Sequence, residues 1–396
     1  MKLSKKIQDM ELSPIRKFVP YADAARAAGK KVYGLNIGQP DIKTPRAFFD
    51  AVKNFDQEVL AYANSQGIPE LLEALVGYYK RIGLNFEKKD LLVTTGGSEA
   101  ISMLMTALLD DDDEVIMAEP FYTNYKTFIK AAGGKLVGIP TTAEEGYQYA
   151  VKEKIEAVIT PKTKAICIIN PGNPTGKVLT HDEMKLIVDI ALEHDLYIIA
   201  DEVYREFVYD GKAMDTFGSF PEAAQNVVIV DSISKRFSAC GARMGSIASK
   251  NEELMGNLMK LCQARLCSAT LDQIGAAALY NLDPSYFDDI KKEYEHRRNV
   301  AVEALNEIEG IQYGVPEGAF YITCKLPVDD AEKFLMFLLT EFDVNGETCM
   351  FAPAGGFFTN PEAGKSDMRI AYVLKAEDMK AGINIIKEGI KAYNAR

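Results

Sequence analysis

The middle of the chain alternates short, continuously apolar segments with longer segments that have helical periodicity. The apolar segments are Leu91–Thr94, Val115–Ala118, Ala165–Ile169, Tyr197–Ala200 and Val227–Val230. Between them apolar residues recur every three or four positions, as over Glu99–Leu109, and this spacing predicts helices. Strands that are apolar on both faces and separated by helices form mostly parallel sheets covered by helices on both sides. We therefore predict an α/β domain over residues 46–285.

The last third of the chain has a different pattern and predicts a smaller α+β domain. Two long helices are expected, over Tyr286–Leu305 and Glu377–Tyr393. Three short, separated strands are expected at Gly318–Cys324, Met350–Ala352 and Arg369–Val373. We assign this domain to residues 286–396 together with residues 1–45.

A glycine-rich turn or polar side chains follow directly after each predicted strand of the larger domain. In chain order they are Gly96, Gly97 and Ser98, then Tyr122 and Tyr125, then Asn173, then Asp201 and Tyr204, and finally Ser232, Ser234 and Lys235. Each has an ordinary explanation by itself: a helix start, core packing, a turn, a helix cap or a surface lysine. Ligands of parallel sheets, however, bind beyond the carboxyl ends of the strands. We therefore expect these groups to meet at one rim.

The combination of groups at this rim matches one cofactor. A glycine-rich helix start favours an anion such as phosphate, and an aromatic side chain can stack on a flat ring. The rim also carries an amide, a carboxylate, a phenol and an amine. Pyridoxal 5'-phosphate (PLP) has a phosphate, a pyridine ring and nitrogen, a phenolic oxygen and an aldehyde that condenses with an amine. The sequence thus predicts a PLP site in which Lys235 carries the cofactor.

Composition and charge exclude several other classes of protein. The formal net charge of −12, from 57 acidic and 45 basic residues, disfavours nonspecific binding to nucleic acid or to an anionic membrane. No segment reaches the roughly 18 apolar residues that span a bilayer, and the N-terminus lacks the apolar core of a signal peptide. The cysteines are scattered without a C-x-x-C motif, so we expect reduced thiols and a cytoplasmic protein. The histidines lie far apart, and we predict no metal site.

Over nearly its whole length the chain resembles the class I aminotransferases, which are PLP-dependent enzymes of fold type I. The resembling segments are YANSQGIPELLEAL (62–75), TGGSEA (95–100), NPGNPTG (170–176), DEVY (201–204), SISK (232–235), GARMG (241–245) and MRIAY (368–372). NPGNPTG and DEVY, combined with S-x-S-K and an arginine eight positions after the lysine, form a specific set. The resemblance implies the fold type I PLP-dependent transferase fold, with a large α/β domain and a smaller α+β domain.

The resemblance also implies a role for each matching residue at the cofactor ring. Lys235 would bind the cofactor covalently and move the substrate proton, and Asp201 would pair with the pyridine nitrogen. Asn173 and Tyr204 would hydrogen-bond the phenolic oxygen, and Tyr122 would stack on the ring. Lys235, Asp201 and Tyr204 are the predicted catalytic residues.

Two further groups of residues follow from the resemblance, one for the phosphate and one for the substrate. The predicted phosphate ligands are Gly97, Ser98, Ser232, Ser234 and Arg243, with Tyr62 reaching the phosphate of a neighbouring subunit in a homodimer. The predicted substrate ligands are Arg369, whose guanidinium fork suits the α-carboxylate, Asn173 and the backbone near Gly38.

The activity implied is that of an aspartate aminotransferase-like enzyme of amino-acid metabolism. It would move the α-amino group of an L-amino acid, with aspartate or glutamate favoured, to a 2-oxo acid. In one subgroup of the family a basic residue in the Gly-Gly segment binds a distal substrate carboxylate, but here the sequence of that segment is Gly97-Ser98-Glu99. Arg16, Lys43 and Arg265 are instead the candidates for recognising the substrate side chain, and we call them the candidate readers. Arg236 and Cys240 are local variations around the lysine motif.

Two alternatives share the same cofactor, and one does not. The same frame supports β-elimination, as in a C–S lyase, or the cyclisation that makes aminocyclopropane carboxylate. A noncatalytic PLP-binding regulator would carry an additional DNA-binding domain, for which the roughly 45 residues before the α/β domain are too few. A dinucleotide-dependent dehydrogenase is excluded because no G-x-G-x-x-G follows a strand.

Overall fold

A computed structural model describes residues 1–8 and 10–396 of the chain. The strands are β1 (Lys31–Gly34), β2 (Leu91–Thr94), β3 (Glu114–Ala118), β4 (Lys135–Ile139), β5 (Thr163–Ile169), β6 (Tyr197–Asp201), β7 (Val227–Ser232), β8 (Gly245–Ala248), β9 (Gln312–Tyr313), β10 (Tyr321–Lys325), β11 (Glu347–Met350), β12 (Ala352–Pro353) and β13 (Asp367–Ala371). The helices are α1 (Lys5–Gln8), α2 (Val19–Ala27), α3 (Arg46–Lys53), α4 (Pro69–Arg81), α5 (Gly96–Leu108), α6 (Asn124–Ala131), α7 (Lys152–Glu156), α8 (His181–Glu193), α9 (Ile233–Arg236), α10 (Glu252–Arg265), α11 (Thr270–Tyr280), α12 (Tyr286–Leu305), α13 (Ala331–Thr340) and α14 (Ala376–Asn394).

The five strands predicted from apolar segments lie in one large sheet. In the described part of the chain this sheet has the order β2-β8-β7-β6-β5-β3-β4. Strands β3 to β7 run parallel, and β8 runs antiparallel to both β2 and β7. The predicted mostly parallel α/β sheet is therefore confirmed. Strands β4 and β8 were not predicted, because glycine and serine interrupt their apolar pattern.

Both faces of the large sheet are buried against helices, as the continuous apolar strands require. All six residues of β7 are buried. One apolar core joins one face to helices α4 and α8 through residues such as Leu71 and Ile187. A second core joins the opposite face to α5 and α10 through Leu104 and Leu258.

Helix α8 begins as its sequence predicted. The Thr180 hydroxyl accepts a hydrogen bond from the Glu183 backbone N–H at 3.2 Å, and the Glu183 carboxylate accepts one from the Thr180 N–H at 2.7 Å. This reciprocal capping box satisfies two of the N–H groups that a helix start leaves free. Among the described residues, no helix combines the length and the apolar character needed to cross a bilayer.

The last third of the chain forms a separate antiparallel sheet with the order β12-β13-β10-β9. Two predicted strands are shifted by a few residues: that expected at Arg369–Val373 lies at Asp367–Ala371, and that expected at Gly318–Cys324 lies at Tyr321–Lys325, because Gly318 and Ala319 instead turn toward Val208 and Phe207. The strand expected at Met350–Ala352 is wrong as a single strand, since Met350 ends β11 and Ala352 begins β12 in a different sheet. Strand β1 pairs with β11, which brings the start of the chain beside its last third. This pairing agrees with grouping residues 1–45 with 286–396, although the domain boundaries stay a prediction.

Candidate active site

A cavity of about 640 Å³ lies beyond the carboxyl ends of β5, β6 and β7. The predicted site residues that line it are Gly38, Gly97, Ser98, Tyr122, Asn173, Asp201, Tyr204, Ser232, Ser234, Lys235, Arg243 and Arg369. Tyr62 does not line it and is 82% exposed, and its contact with another subunit stays a prediction. The predicted rim is therefore present, whereas the role of each residue on it stays a prediction.

Lys235 lies on the single turn of helix α9, three residues after the end of β7. Its Nζ donates a hydrogen bond to the Gly38 carbonyl oxygen at 2.9 Å, from a segment 197 residues away in the chain. Gly38 must be glycine, because a Cβ there would lie 1.8 Å from the Tyr321 hydroxyl oxygen. This close approach holds the backbone carbonyl against the lysine. Among the described residues, Lys235 is the one lysine that lines the cavity.

One end of the cavity is built from donors and a positive charge. Helix α5 begins here at Gly96, whose φ is +76° and where a Cβ would lie 2.6 Å from Arg243 Nη2. The hydroxyl oxygens of Ser232 and Ser234 are 2.8 Å apart on the neighbouring turn. A helix N-terminus, two hydroxyls and a guanidinium are suited to a phosphate group. This set fits the phosphate of PLP.

The Asp201 carboxylate lies buried at the end of β6. Its Oδ2 accepts a hydrogen bond from the Tyr125 hydroxyl at 2.6 Å and its Oδ1 one from the Val203 N–H at 3.2 Å, and it forms no ion pair with any described residue. Burial raises the pKa of Asp201 to about 6. A carboxylate desolvated in this way is stabilised by a nearby cation. A protonated pyridine nitrogen supplies such a cation, so this end of the cavity also fits PLP.

Tyr125 was noted after the second predicted strand but was given no role in the site. It lies three residues after Tyr122, its N–H donates a hydrogen bond to the Tyr122 carbonyl oxygen at 3.1 Å, and both residues line the cavity. Burial raises the pKa of Tyr125 well above its ordinary value, which keeps the phenol neutral and able to donate to Asp201. The sequence signal was this spacing from Tyr122, but only the folded chain identifies Asp201 as the acceptor.

We expect Tyr125→Phe to lower activity and to shift its pH dependence. A hydrogen bond to a charged group contributes about 1.5–3 kcal/mol, so kcat/KM should fall about 10- to 100-fold. The Tyr125 hydroxyl also lowers the pKa of Asp201, and its loss should raise that pKa further. The acidic limb of the kcat/KM profile should therefore move to higher pH.

A matched control removes a hydroxyl that has no partner. Tyr286 offers one, since its buried hydroxyl oxygen forms no hydrogen bond with the described residues. Tyr286→Phe should leave the pH profile in place. An unshifted acidic limb in Tyr125→Phe would contradict the coupling to Asp201.

Arg369 lies at the other side of the cavity and is only 2% exposed. Its Nη1 donates to Asn173 Oδ1 at 3.1 Å and its Nη2 donates to the Asn36 carbonyl oxygen at 2.6 Å. The guanidinium also stacks on Tyr321, with 4.6 Å from Cζ to the ring centroid. Its buried Nε has no hydrogen-bond partner among the described residues. A rigidly held arginine on the wall of the cavity is suited to a substrate carboxylate.

Tyr204 and Tyr321 join the two sheets at the cavity. Their hydroxyl oxygens are 2.9 Å apart, and Asn173 Nδ2 donates to the Tyr204 hydroxyl at 3.4 Å. Burial raises the pKa of Tyr204 well above its ordinary value, so its phenol is neutral. Sequence reasoning missed Tyr321, because nothing in the pattern of β10 distinguishes it from a core tyrosine.

Of the three candidate readers of the substrate side chain, only Arg16 lines the cavity. Its side chain is exposed and forms no hydrogen bond or ion pair within residues 1–8 and 10–396. Arg265 is used elsewhere, since its Nη2 donates to the Ser65 and Val93 carbonyl oxygens at 3.3 and 3.2 Å. Lys43 is exposed and outside the cavity. The expectation for Arg265 and Lys43 therefore has no support in the geometry.

Comparison with known proteins gives consistent matches over the whole chain. Residues 30–386 match the family model described as aminotransferase class I and II. The chain is 30% identical to an aspartate aminotransferase of Bacillus subtilis, with all of both chains covered. It is also 30% identical to aromatic-amino-acid aminotransferase 2 of Thermococcus litoralis, with 99% of both chains covered. The solved structure of an alanine aminotransferase from Pyrococcus furiosus superposes with a TM-score of 0.89 at 30% identity, covering 99% of this chain and 100% of that one.

Proposed function

The chain belongs to the class I and II aminotransferases and is a PLP-dependent aminotransferase, and from this we propose that it moves the α-amino group of an acidic L-amino acid to a 2-oxo acid. Aspartate and glutamate are the proposed donors. The similar proteins are named for aspartate, aromatic amino acids and alanine, so the side-chain preference has to be argued from this chain's own residues.

The proposed cofactor contacts use both ends of the cavity. Gly97, Ser98, Ser232, Ser234 and Arg243 would hold the phosphate, while Asp201 would face the pyridine nitrogen. When bound, PLP supplies an electron sink for the pair of electrons left on the substrate α-carbon. The negative charge of Asp201 would keep the pyridine nitrogen protonated.

The remaining residues act on the substrate. Arg369 would bind the α-carboxylate, with Asn173 beside it, and so orient the α-carbon toward Lys235. The Nζ of Lys235, only 2.9 Å from the Gly38 carbonyl, would take the proton from the α-carbon as a local base. Tyr204 would donate its phenolic proton as a hydrogen bond to the cofactor's oxygen. Tyr122 would cover the ring on one face.

The preference for an acidic donor rests on one observation, the arginines that line the cavity. Arg243 lies against the start of α5 and is suited to the phosphate. Arg369 is fixed by Asn173 and Asn36 and is suited to the α-carboxylate. Arg16 remains without a partner within the described residues. An acidic substrate has a second carboxylate that Arg16 can neutralise, whereas alanine or phenylalanine has none.

Half-reactions test this proposal most directly. Purified enzyme is mixed with aspartate, glutamate, alanine or phenylalanine without an acceptor, and the absorbance change of the bound cofactor gives kcat/KM for each donor. We expect Arg16→Ala to lower kcat/KM for aspartate about 10- to 100-fold, the effect of losing one charge-assisted contact of about 1.5–3 kcal/mol. The value for alanine should hardly change.

Lys17→Ala is the matched control, because the adjacent Lys17 pairs with Glu332 at 2.6 Å and does not line the cavity. It should leave the donor preference unchanged. An equal loss for aspartate and alanine in Arg16→Ala would contradict the role of Arg16 as the reader. Release of ammonia without any need for a 2-oxo acid would instead indicate the elimination reaction.

A homodimer forms part of the proposal, with Tyr62 crossing to the neighbouring subunit. Its support is a run of exposed apolar side chains, in which Val59, Leu60 and Tyr62 are 72%, 58% and 82% exposed. Such surfaces mark sites of protein association. The cytoplasmic location stays a prediction.

A further inference from the structure

The helical turn that carries Lys235 is short and needs tertiary contacts to stabilise it. Helix α9 consists of four residues, Ile233–Arg236, and follows directly after β7. A single helical turn is unstable in isolation, because nucleating a helix fixes several residues for one hydrogen bond. The geometry of Ser232, Ser234 and Lys235 must therefore come from tertiary contacts.

A buried ion pair joins the two ends of this turn. Arg236 Nη2 lies 2.6 Å from Asp231 Oδ1, and the two residues are 1% and 2% exposed. The same Asp231 oxygen accepts a hydrogen bond from the Ser232 N–H at 2.7 Å. One carboxylate oxygen thus binds the end of β7 and the last residue of α9, with the cofactor-facing residues between them.

The arginine is enclosed on its remaining sides. Its guanidinium stacks on Tyr78, with 4.5 Å from Cζ to the ring centroid, and its Nη1 lies 3.8 Å from Glu206 Oε1. Tyr78 is itself fixed by donating its hydroxyl hydrogen to Glu206 Oε1 at 2.9 Å. Arg236 does not line the cavity. Arg236 therefore acts on the site only through the backbone of the helical turn α9.

This arrangement is poorly explained by stability alone. Desolvating two charges offsets much of their attraction, and apolar residues of similar volume are often as stabilising as a buried pair. Arg236 Nε and Nη1 also form no hydrogen bond among the described residues, which adds a further cost of burial. What an ion pair supplies and apolar packing does not is a fixed direction and distance between its two ends.

We propose that the Asp231–Arg236 pair is a positioning device that holds the Lys235 turn in register with the cavity. This rests on the proposed role of Lys235 in binding the cofactor. Without the pair, Ser232, Ser234 and Lys235 lose their fixed relation to each other while the fold remains. The effect falls on cofactor affinity and turnover rather than on substrate binding, because Arg369 and Asn173 belong to other elements.

Three variants test the device. Arg236→Met removes the charge at similar length, Asp231→Asn combined with Arg236→Met also removes the orphaned carboxylate, and Arg236→Lys keeps the charge. The measurements are the melting temperature of the apoenzyme, the Kd for PLP, the absorbance of bound cofactor against pH, and kcat and KM for aspartate.

We expect kcat to fall about 10- to 100-fold in Arg236→Met, the effect of a misplacement of roughly 1 Å, with KM nearly unchanged. The Kd for PLP should rise, and the pH titration of the cofactor absorbance should shift. The double variant should regain the melting temperature that Arg236→Met loses, but it should regain neither the native kcat nor the native pH titration. Arg236→Lys should recover part of the kcat and part of the shift in the pH titration.

Arg298→Met is the control for loss of a buried guanidinium, because Arg298 is 3% exposed and pairs at 2.6 Å with Asp210, whose side chain is 51% exposed, outside the cavity. It should lower the melting temperature without moving the cofactor titration. If the double variant recovers kcat and titration along with stability, the pair serves folding alone and the proposal is overturned. If Arg236→Met does not fold, the double variant decides.

Borohydride reduction keeps this test apart from that of the proposed function. Reduction traps bound PLP on its lysine, and peptide mapping then locates it. Cofactor on another lysine of the native enzyme would contradict the role of Lys235. Cofactor on Lys235 with an unchanged titration and unchanged kcat in Arg236→Met and the double variant would contradict the positioning role alone.

Discussion

Lys235→Ala should abolish covalent attachment of PLP and lower turnover by at least about 10⁴-fold. Proton transfer by a positioned base contributes about 10²–10⁴-fold by itself, and loss of the attachment adds to this. Lys235 is the lysine that lines the cavity in the described chain, so no neighbouring amine can take its place. The measurement is borohydride reduction followed by peptide mapping, together with single-turnover rates for aspartate.

Two control variants test whether the loss comes from the missing amine of Lys235 rather than from a missing positive charge or from the loss of any lysine. Lys235→Arg keeps a positive charge near the Gly38 carbonyl but cannot condense with an aldehyde, and it should be as inactive as the alanine variant. Lys43→Ala removes a lysine that lies outside the cavity and should leave labelling and rates unchanged. Full activity of Lys235→Ala, or a pyridoxyl group on another lysine, would remove the basis of the whole mechanism.

Asp201→Ala should be the second most damaging change, with a loss of about 10²–10⁴-fold in kcat/KM. Removing one partner of a buried ion pair costs about 3–5 kcal/mol, and each 1.36 kcal/mol is tenfold in rate. Asp201→Asn, which preserves the shape of the side chain, should lose nearly as much because a neutral amide would not keep the pyridine nitrogen protonated. Half-reaction rates with aspartate measure both variants.

Although Asp201→Asn should lower activity, it should not lower the stability of the apoenzyme. Burial raises the pKa of Asp201 from 3.8 to about 6, so above pH 6 the charged carboxylate lowers the free energy of unfolding of the apoenzyme. The penalty fades as the pH falls below the folded-state pKa, because the native protein then binds the proton. The melting temperature of the Asn variant should therefore equal or exceed that of the native apoenzyme at neutral pH, with the difference shrinking in acid. Loss of the fold would instead indicate that Asp201 is a structural cap.

The sequence pattern predicted the large sheet well because its strands are buried on both faces. Five apolar segments became β2, β3, β5, β6 and β7 with ends shifted by at most two residues. Strand β8 escaped prediction because it begins at Gly245, which has to be glycine since a Cβ there would lie 2.6 Å from the Gly96 carbonyl carbon. The packing that demands this glycine also removes the apolar signal of the strand.

The residues of the candidate active site also fall into those that the sequence pattern predicted and those that it did not. Asp201, Ser232 and Lys235 could be predicted because each follows an apolar strand within a few residues, and the parallel sheet brings such strand ends to one edge. Tyr321 carried no comparable signal, since it lies in a short strand of the other sheet. Arg369 was predicted only through the resemblance of its motif to the family.

The sequence by itself determined the parallel sheet and the polar rim, since both follow from short-range periodicity and from the order of elements along the chain. Only the tertiary structure decided which distant groups meet there. The Lys235 amine binds a carbonyl 197 residues away, and Arg369 binds Asn173 across 196 residues. It also decided that Arg16 faces the cavity while Arg265 does not. Contacts of this kind depend on how two separate sheets and the segments around them pack together, and no local pattern of hydrophobic and polar residues encodes that packing.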